Sequence, residues 1–186
     1  AACRLAIRDR LLLMRQVLAA VAHAHRFLVV HRDLKPANIL VDASGQVKLL
    51  DFGIAKLVDE PGQGGAPDLT QLGGRVMTIR YAAPEQAADG AITTATDIYS
   101  LGVILHELVA GASPYRAVRA GRALTSLMLQ QEDTGLPSTV ELPAGAAARR
   151  GLASTRQLAR LLSGDMDAII LKAMRRDPAA RDASVE

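Results

Sequence analysis

The eight residues His31-Arg32-Asp33-Leu34-Lys35-Pro36-Ala37-Asn38 constrain this 186-residue chain more than any other stretch. They place a polar cluster inside a short segment, Phe27 to Val41, that is otherwise rich in Val and Ile. Standing alone, such a cluster reads as a polar turn stapled by Pro36. Two tripeptides change that reading. Asp51-Phe52-Gly53 begins thirteen residues after Asn38, and Ala83-Pro84-Glu85 begins 32 residues after Asp51. Each is weak by itself, but the order and the spacing leave little room for coincidence.

The segment between the first two signals reads as strand, turn and strand. Ile39-Leu40-Val41 is followed by the turn formers Asp42-Ala43-Ser44-Gly45, then by Val47 to Leu50. Upstream, Leu11, Met14, Leu18, Val21 and His25 recur at intervals of three and four, which predicts a helix over 8–26 with one apolar face. Residues 59–76 are rich in Gly and Pro with little periodicity, and read as a long functional loop. A second helix starts near Thr93, with Thr94 or Thr96 as candidate N-cap and Gly111 as its stop. Its body is apolar on nearly every side, so it belongs at the centre of a domain. Further helices are expected over 119–131 and over Asp165 to Arg176, separated by a Pro/Gly/Ala-rich connector over 132–151. The expectation is an α+β chain, mainly helical, with one small β-hairpin.

Composition supports one domain and excludes several functions. Apolar residues make up 49% and aromatic residues 3%, so Leu, Val, Ile and Ala must fill the core. No stretch approaches a membrane span; the longest candidate, Ile98 to Ala110, is broken by Ser100, His106 and Glu107. The net charge of +3 comes from scattered arginines balanced by 19 acids, so no nucleic-acid partner is expected. Cys3 is the only cysteine, which rules out an internal disulfide and fits a reducing, cytoplasmic compartment. It reads as inert. His23, His25 and His106 lack Cys or carboxylate partners at metal-ligand spacing.

His31 to Asn38 fits the pattern H-R-D-L-x-x-x-N without a mismatch, and with Asp-Phe-Gly and Ala-Pro-Glu it makes the chain resemble the Hanks-type protein kinases. The resemblance covers essentially the whole chain and implies a kinase-like C-terminal lobe whose hairpin carries the catalytic and metal loops. It implies that Asp33 orients a substrate hydroxyl and accepts its proton, while Lys35 neutralises charge on the transferring phosphoryl group of ATP. Asn38 and Asp51 match the two oxygen ligands of Mg2+, with Phe52 packing beneath and Gly53 permitting the turn. His31 is expected to be a packing and hydrogen-bonding strut rather than the base. Leu34-Lys35-Pro36-Ala37-Asn38 looks like the serine/threonine type, and Thr78 matches the Thr that contacts Asp33 and Lys35 in that class. Protein substrates with Ser or Thr are therefore expected.

The same resemblance assigns regulatory and structural positions. Arg32 matches the subgroup switched by activation-loop phosphorylation, and Thr70, the only hydroxyl between Gly53 and Thr78, is the candidate acceptor. Asp97 matches a buried carboxylate that accepts backbone N–H bonds from the catalytic loop, and Glu85 is expected to pair with Arg181. Two departures stand out: Met77 replaces a frequent Gly, and Tyr99 replaces a frequent Trp. No Gly-rich phosphate loop, strand Lys or helix Glu of a complete kinase is found in 1–186. The expectation is a partial domain, lacking its N-terminal lobe and cut in its final helix, with weak activity in isolation. A non-catalytic kinase-like interaction module is the alternative. A small-molecule phosphotransferase fits less well, because Thr78 to Glu85 resembles a peptide platform. The arginine- and alanine-rich composition resembles bacterial members.

Overall fold

Helix α3, Thr94–Ala110, is buried along most of its length, and the other elements are arranged around it. In a computed structural model the described residues are 4–52, 79–88, 90–131 and 133–185. Element order is α1 (Ile7–Arg26), a 3-10 turn (Pro36–Asn38), β1 (Ile39–Val41), β2 (Val47–Leu49), α2 (Pro84–Ala87), α3, α4 (Arg116–Arg119), α5 (Ser126–Gln131), α6 (Thr155–Leu162) and α7 (Asp165–Ala173). Short 3-10 turns at Ala148–Arg150 and Pro178–Ala180 complete the described secondary structure. No helix among the described residues is long and apolar enough to cross a membrane.

Because α3 is apolar all round, it serves two cores. Leu101 and Ile104 pack with Met14, Val17 and Val21 of α1 and with Leu34. Tyr99, Val103 and Val109 pack with Leu158 and Leu162 of α6 and with Ile170 of α7. β1 and β2 form an antiparallel hairpin with Ile39 opposite Leu49 and Val41 opposite Val47. Asp42 closes its turn, its Oδ1 accepting from the backbone N–H groups of Ser44 and Gln46. Gln16 pins the hairpin to α1: its Nε2 donates to Gly45 O at 3.1 Å, and Val47 N donates to its Oε1 at 3.0 Å.

Several expected boundaries shift for identifiable reasons. The cap of α3 is Thr93, one residue before Thr94 and three before Thr96, the candidates named from sequence; Ala95 N donates to its Oγ1, and Thr96 Oγ1 instead accepts from Thr93 N. The single helix expected over 119–131 is two. Gly121 sits at φ +71° with Arg122 N bonded back to Ala117 O, a helix-ending geometry that stops α4 before α5 begins. α7 ends at Ala173 rather than Arg176, because the carbonyls of Arg175 and Arg176 turn to accept from Arg181. α6 was not anticipated; Ser154 caps it through Gln157 N, and it buries Leu158 and Leu162.

The C-terminal end of α3 depends on two residues acting together. Gly111 takes φ +81°, a region unfavourable to side-chain-bearing residues. Arg150, itself buried, closes the helix from outside, donating from Nη2 to Glu107 O at 3.2 Å and Leu108 O at 2.8 Å. A Cβ on Gly111 would stand 2.7 Å from both terminal guanidinium nitrogens. Gly111→Ala is therefore expected to cost about 2–4 kcal/mol, combining backbone strain with a displaced cap. A lower urea midpoint at unchanged slope is the readout.

Acid sensitivity follows from His106. Its ring is buried between Ala112 O and Gly135 O, each 3.0 Å away. Burial pushes its imidazole down to about 4, outweighing the two carbonyls that favour the charged form. With the folded value below the unfolded one, the unfolded chain binds the extra proton. Stability is expected to fall as pH drops from about 6.5 towards 4. His106→Gln should flatten that slope in pH-dependent urea melts.

Candidate active site

The cluster around Asp33 is local in sequence, and the 3-10 turn at Pro36–Asn38 folds it back on itself. Asn38 is buried, and its Nδ2 donates to Asp33 O at 2.9 Å and to Asp33 Oδ2 at 3.3 Å. Lys35 Nζ lies 2.6 Å from the same Oδ2. Asp51 follows β2, exposed at the end of the hairpin, with φ +51°. Leu50 N donates to Asn38 O at 2.9 Å, so the backbones carrying Asn38 and Asp51 are joined by one hydrogen bond. Phe52 stacks on His31 with ring centroids 4.6 Å apart. Asp33, Lys35 and Asn38 thus meet in one loop, and the Leu50–Asn38 bond sets the backbone leading to Asp51 beside it.

The donor set suits a hard cation beside phosphate oxygens. Asn38 spends its NH2 on Asp33, leaving Oδ1 as an available oxygen, and Asp51 supplies a carboxylate. No group of three or more His, Cys, Asp or Glu forms a self-sufficient metal cage among the described residues. Magnesium commonly binds through one or two protein oxygens plus water and phosphate, which these two residues match.

Three backbone and side-chain donors converge from outside the cluster on Asp97, a buried residue of α3. His31 N donates to Oδ2 at 2.8 Å and Arg32 N to Oδ1 at 2.9 Å. His25 Nε2 of α1 donates to Oδ2 at 2.8 Å. Arg32 sits at φ +69°, costly by about 1–2 kcal/mol for a residue with a Cβ, and its N–H bond to Asp97 is what holds it there. His31 donates from Nε2 to Leu50 O at 3.0 Å, so this ring ties the loop to β2. Its Nδ1 is buried without a partner among the described residues.

A second anchor joins α2 to the C-terminal 3-10 turn. Arg181 places its five N–H donors on Glu85 Oε1 and Oε2 (2.7 and 2.8 Å) and on the carbonyls of Ala95, Arg175 and Arg176. Its guanidinium also lies 4.9 Å over the Tyr99 ring. Burial alone would raise the Glu85 carboxyl, but the bonds and charge of Arg181 outweigh it and hold it below the ordinary range. Gln86 of α2 connects this anchor to the cluster by donating from Nε2 to Arg32 O at 2.8 Å.

Thr70 and Thr78, with Gly53 and Met77, lie outside the described residues. Sequence reasoning missed His25 as a partner of Asp97, and also missed Gln86. A signal for His25 was present: it falls on the apolar face of α1, where a polar ring must find a buried partner. Gln86 carries no comparable signal.

Comparison with known proteins is consistent along the chain. The protein kinase domain model matches residues 3–184. The serine/threonine-protein kinase PrkC of Bacillus subtilis is 34% identical over 179 residues, covering 96% of this chain and 24% of that protein. PknA of Mycobacterium tuberculosis is 41% identical over 140 residues, 75% of this chain and 30% of that protein. The crystal structure of the PknI kinase domain from Mycobacterium tuberculosis superposes with a TM-score of 0.57 at 25% identity, over 97% of this chain and 52% of that one. The chain therefore spans less than a third of the length of PrkC and PknA.

Asp97→Asn is expected to lower stability by about 1–3 kcal/mol, since an amide cannot accept from all three donors. A urea midpoint shift at constant slope tests this; an unchanged midpoint would show that the three bonds carry no net weight.

Proposed function

The chain belongs to the protein kinase domain family, on its bacterial serine/threonine branch, and from that premise we propose that it moves the γ-phosphate of ATP to Ser or Thr hydroxyls of protein substrates. The observation that carries this reading is the Asp33 carboxylate with Lys35 Nζ at 2.6 Å and Asn38 alongside. A carboxylate held this way can accept a hydrogen bond from an incoming hydroxyl and take its proton. The hydroxyl oxygen forms a bond to the γ-phosphorus as the bond to the β–γ bridging oxygen breaks. The proton passes to Asp33, and ADP leaves with the bridging oxygen. Lys35 supplies positive charge where the transferring group carries negative charge. Asn38 and Asp51 would hold Mg2+, which when bound offsets phosphate charge. Thr78 is assigned to the same machinery from sequence, as a contact of Asp33 and Lys35.

Arg32 adds a route to regulation. Among the described residues no carboxylate pairs with its guanidinium, and a phosphate on Thr70 would make a bidentate partner for it. Glu85, Arg181 and Asp97 hold the fold and take no part in the chemistry. The proposed use of ATP, together with Cys3 as the one cysteine in this chain, supports a cytoplasmic setting for this domain.

The test is phosphate transfer by the whole protein from labelled ATP and Mg2+ to a Ser/Thr peptide. Asp33→Asn should lower kcat by about 10²–10⁴ with little change in KM. A folded wild-type protein that transfers no phosphate, under conditions where it binds partner proteins, would instead support the interaction-module reading.

A further inference from the structure

Between α1 and the corner where α6 meets α7 runs an open groove of about 380 Å³. Its floor and walls are apolar. Leu162 belongs to the larger core, and Ile7, Leu11 and Met166 pack against that core from the groove side. Two more leucines stand on opposite rims with much of their surface in water, Leu12 of α1 at 46% and Leu161 of α6 at 52% exposure. Neither belongs to a core cluster. A single exposed leucine needs no explanation, but two that border one apolar groove form a patch that a partner can cover.

The charge of the groove is one-sided. Its ionised lining residues are Arg8 and Arg15, both exposed, and no acid lines it to offset them. Among the described residues neither arginine has an ion pair. The acids nearest in sequence do not change this balance. Asp9 lies seven residues before Gln16, so it shares the face that Gln16 turns to the hairpin. Asp165, beside Met166, is matched by Arg160 beside Leu161. Along α1 the row reads Arg8, Leu11, Leu12, Arg15, with cations at its ends and apolar side chains between. The two cations stand two turns apart, about 10.5 Å along the axis. A second helix laid along α1 meets both with acids seven residues apart, and its intervening apolar positions then enter the groove. The concave shape favours such a ridge over a planar anionic membrane, which would touch Leu12 and Leu161 but leave the floor uncovered.

We propose that this groove docks an amphipathic helix of a partner protein, one whose apolar stripe is bracketed by Glu or Asp seven residues apart. Apolar contact with Leu11, Leu12 and Leu161 supplies the affinity, because exposed ion pairs are individually weak. Arg8 and Arg15 select the sign and the register of the partner. None of the lining residues belongs to the Asp33 cluster, so the docking site stands apart from the proposed phosphate transfer.

The test uses three fluorescein-labelled helical peptides that share one leucine stripe and carry Glu, Gln or Lys at the two bracketing positions. Binding is read by anisotropy on the intact protein. The Glu peptide should bind about tenfold tighter than the Gln peptide, with the Lys peptide weakest, and the gap should narrow at high salt. Arg8→Glu combined with Arg15→Glu should reverse the order in favour of the Lys peptide. Leu12→Ser should weaken binding of all three. Arg156→Glu, an exposed change on α6 outside the groove, should leave the order as it was. Unchanged urea midpoints establish that the variants are folded, since each alters an exposed side chain. Binding of no peptide, equal binding of all three, an order that the double variant does not reverse, or an equal effect of Arg156→Glu would overturn the proposal. Binding to phosphatidylglycerol vesicles in place of the peptides, lost in the double variant, would also overturn it and assign the groove to a membrane surface.

Discussion

A single buried carboxylate, Asp97, sets the conditions under which the rest of this site can exist. Burying an ionised group is costly unless it is fully hydrogen-bonded, and Asp97 meets that condition only by drawing in His25, His31 and Arg32. Three parts of the chain, α1, the 31–38 loop and α3, are thereby fixed to one point. The unfavourable backbone of Arg32 follows from that demand.

The neighbours of Asp97 extend the same logic over one turn and a little more of α3. Thr96 Oγ1 donates to Glu85 Oε1 at 3.0 Å, and Ser100 Oγ donates to Tyr81 O at 2.7 Å. Tyr99 shares a hydrogen bond with Tyr115 and lies beneath Arg181. Five consecutive residues contain contacts to the 31–38 loop, the 79–88 segment and the C-terminal turn. This explains why a helix this apolar keeps a polar first third: that end positions the 31–38 loop, and the remainder fills two cores.

How much of this could be read from the sequence depended on range. Asp33, Lys35 and Asn38 lie within six residues, so one loop brings them together and the motif alone announces it. The hairpin was legible because Asp42 to Gly45 is a turn signal between β-branched runs. The central position of α3 was legible from its uniform apolarity. Less accessible were boundaries decided by partners far away, such as the end of α7, just beyond which Arg181 claims the carbonyls of Arg175 and Arg176. Gly121 was a local stop signal that the apolar pattern of 119–131 obscured. α6 went unread because its buried pair, Leu158 and Leu162, is interleaved with arginines and an exposed Leu161 in a stretch preceded by small residues. His25 shows the same limit: its spacing placed it on a buried face, but nothing local pointed to a carboxylate 72 positions later.

Amide hydrogen exchange at His31 and Arg32, followed by NMR on the intact protein, tests the central role of Asp97 most directly. Both amides are expected to exchange only through global unfolding, with protection equal to that of Val103 in the middle of α3. Exchange at the rate of an open loop, while Val103 stays protected, would show that Asp97 does not hold the 31–38 loop.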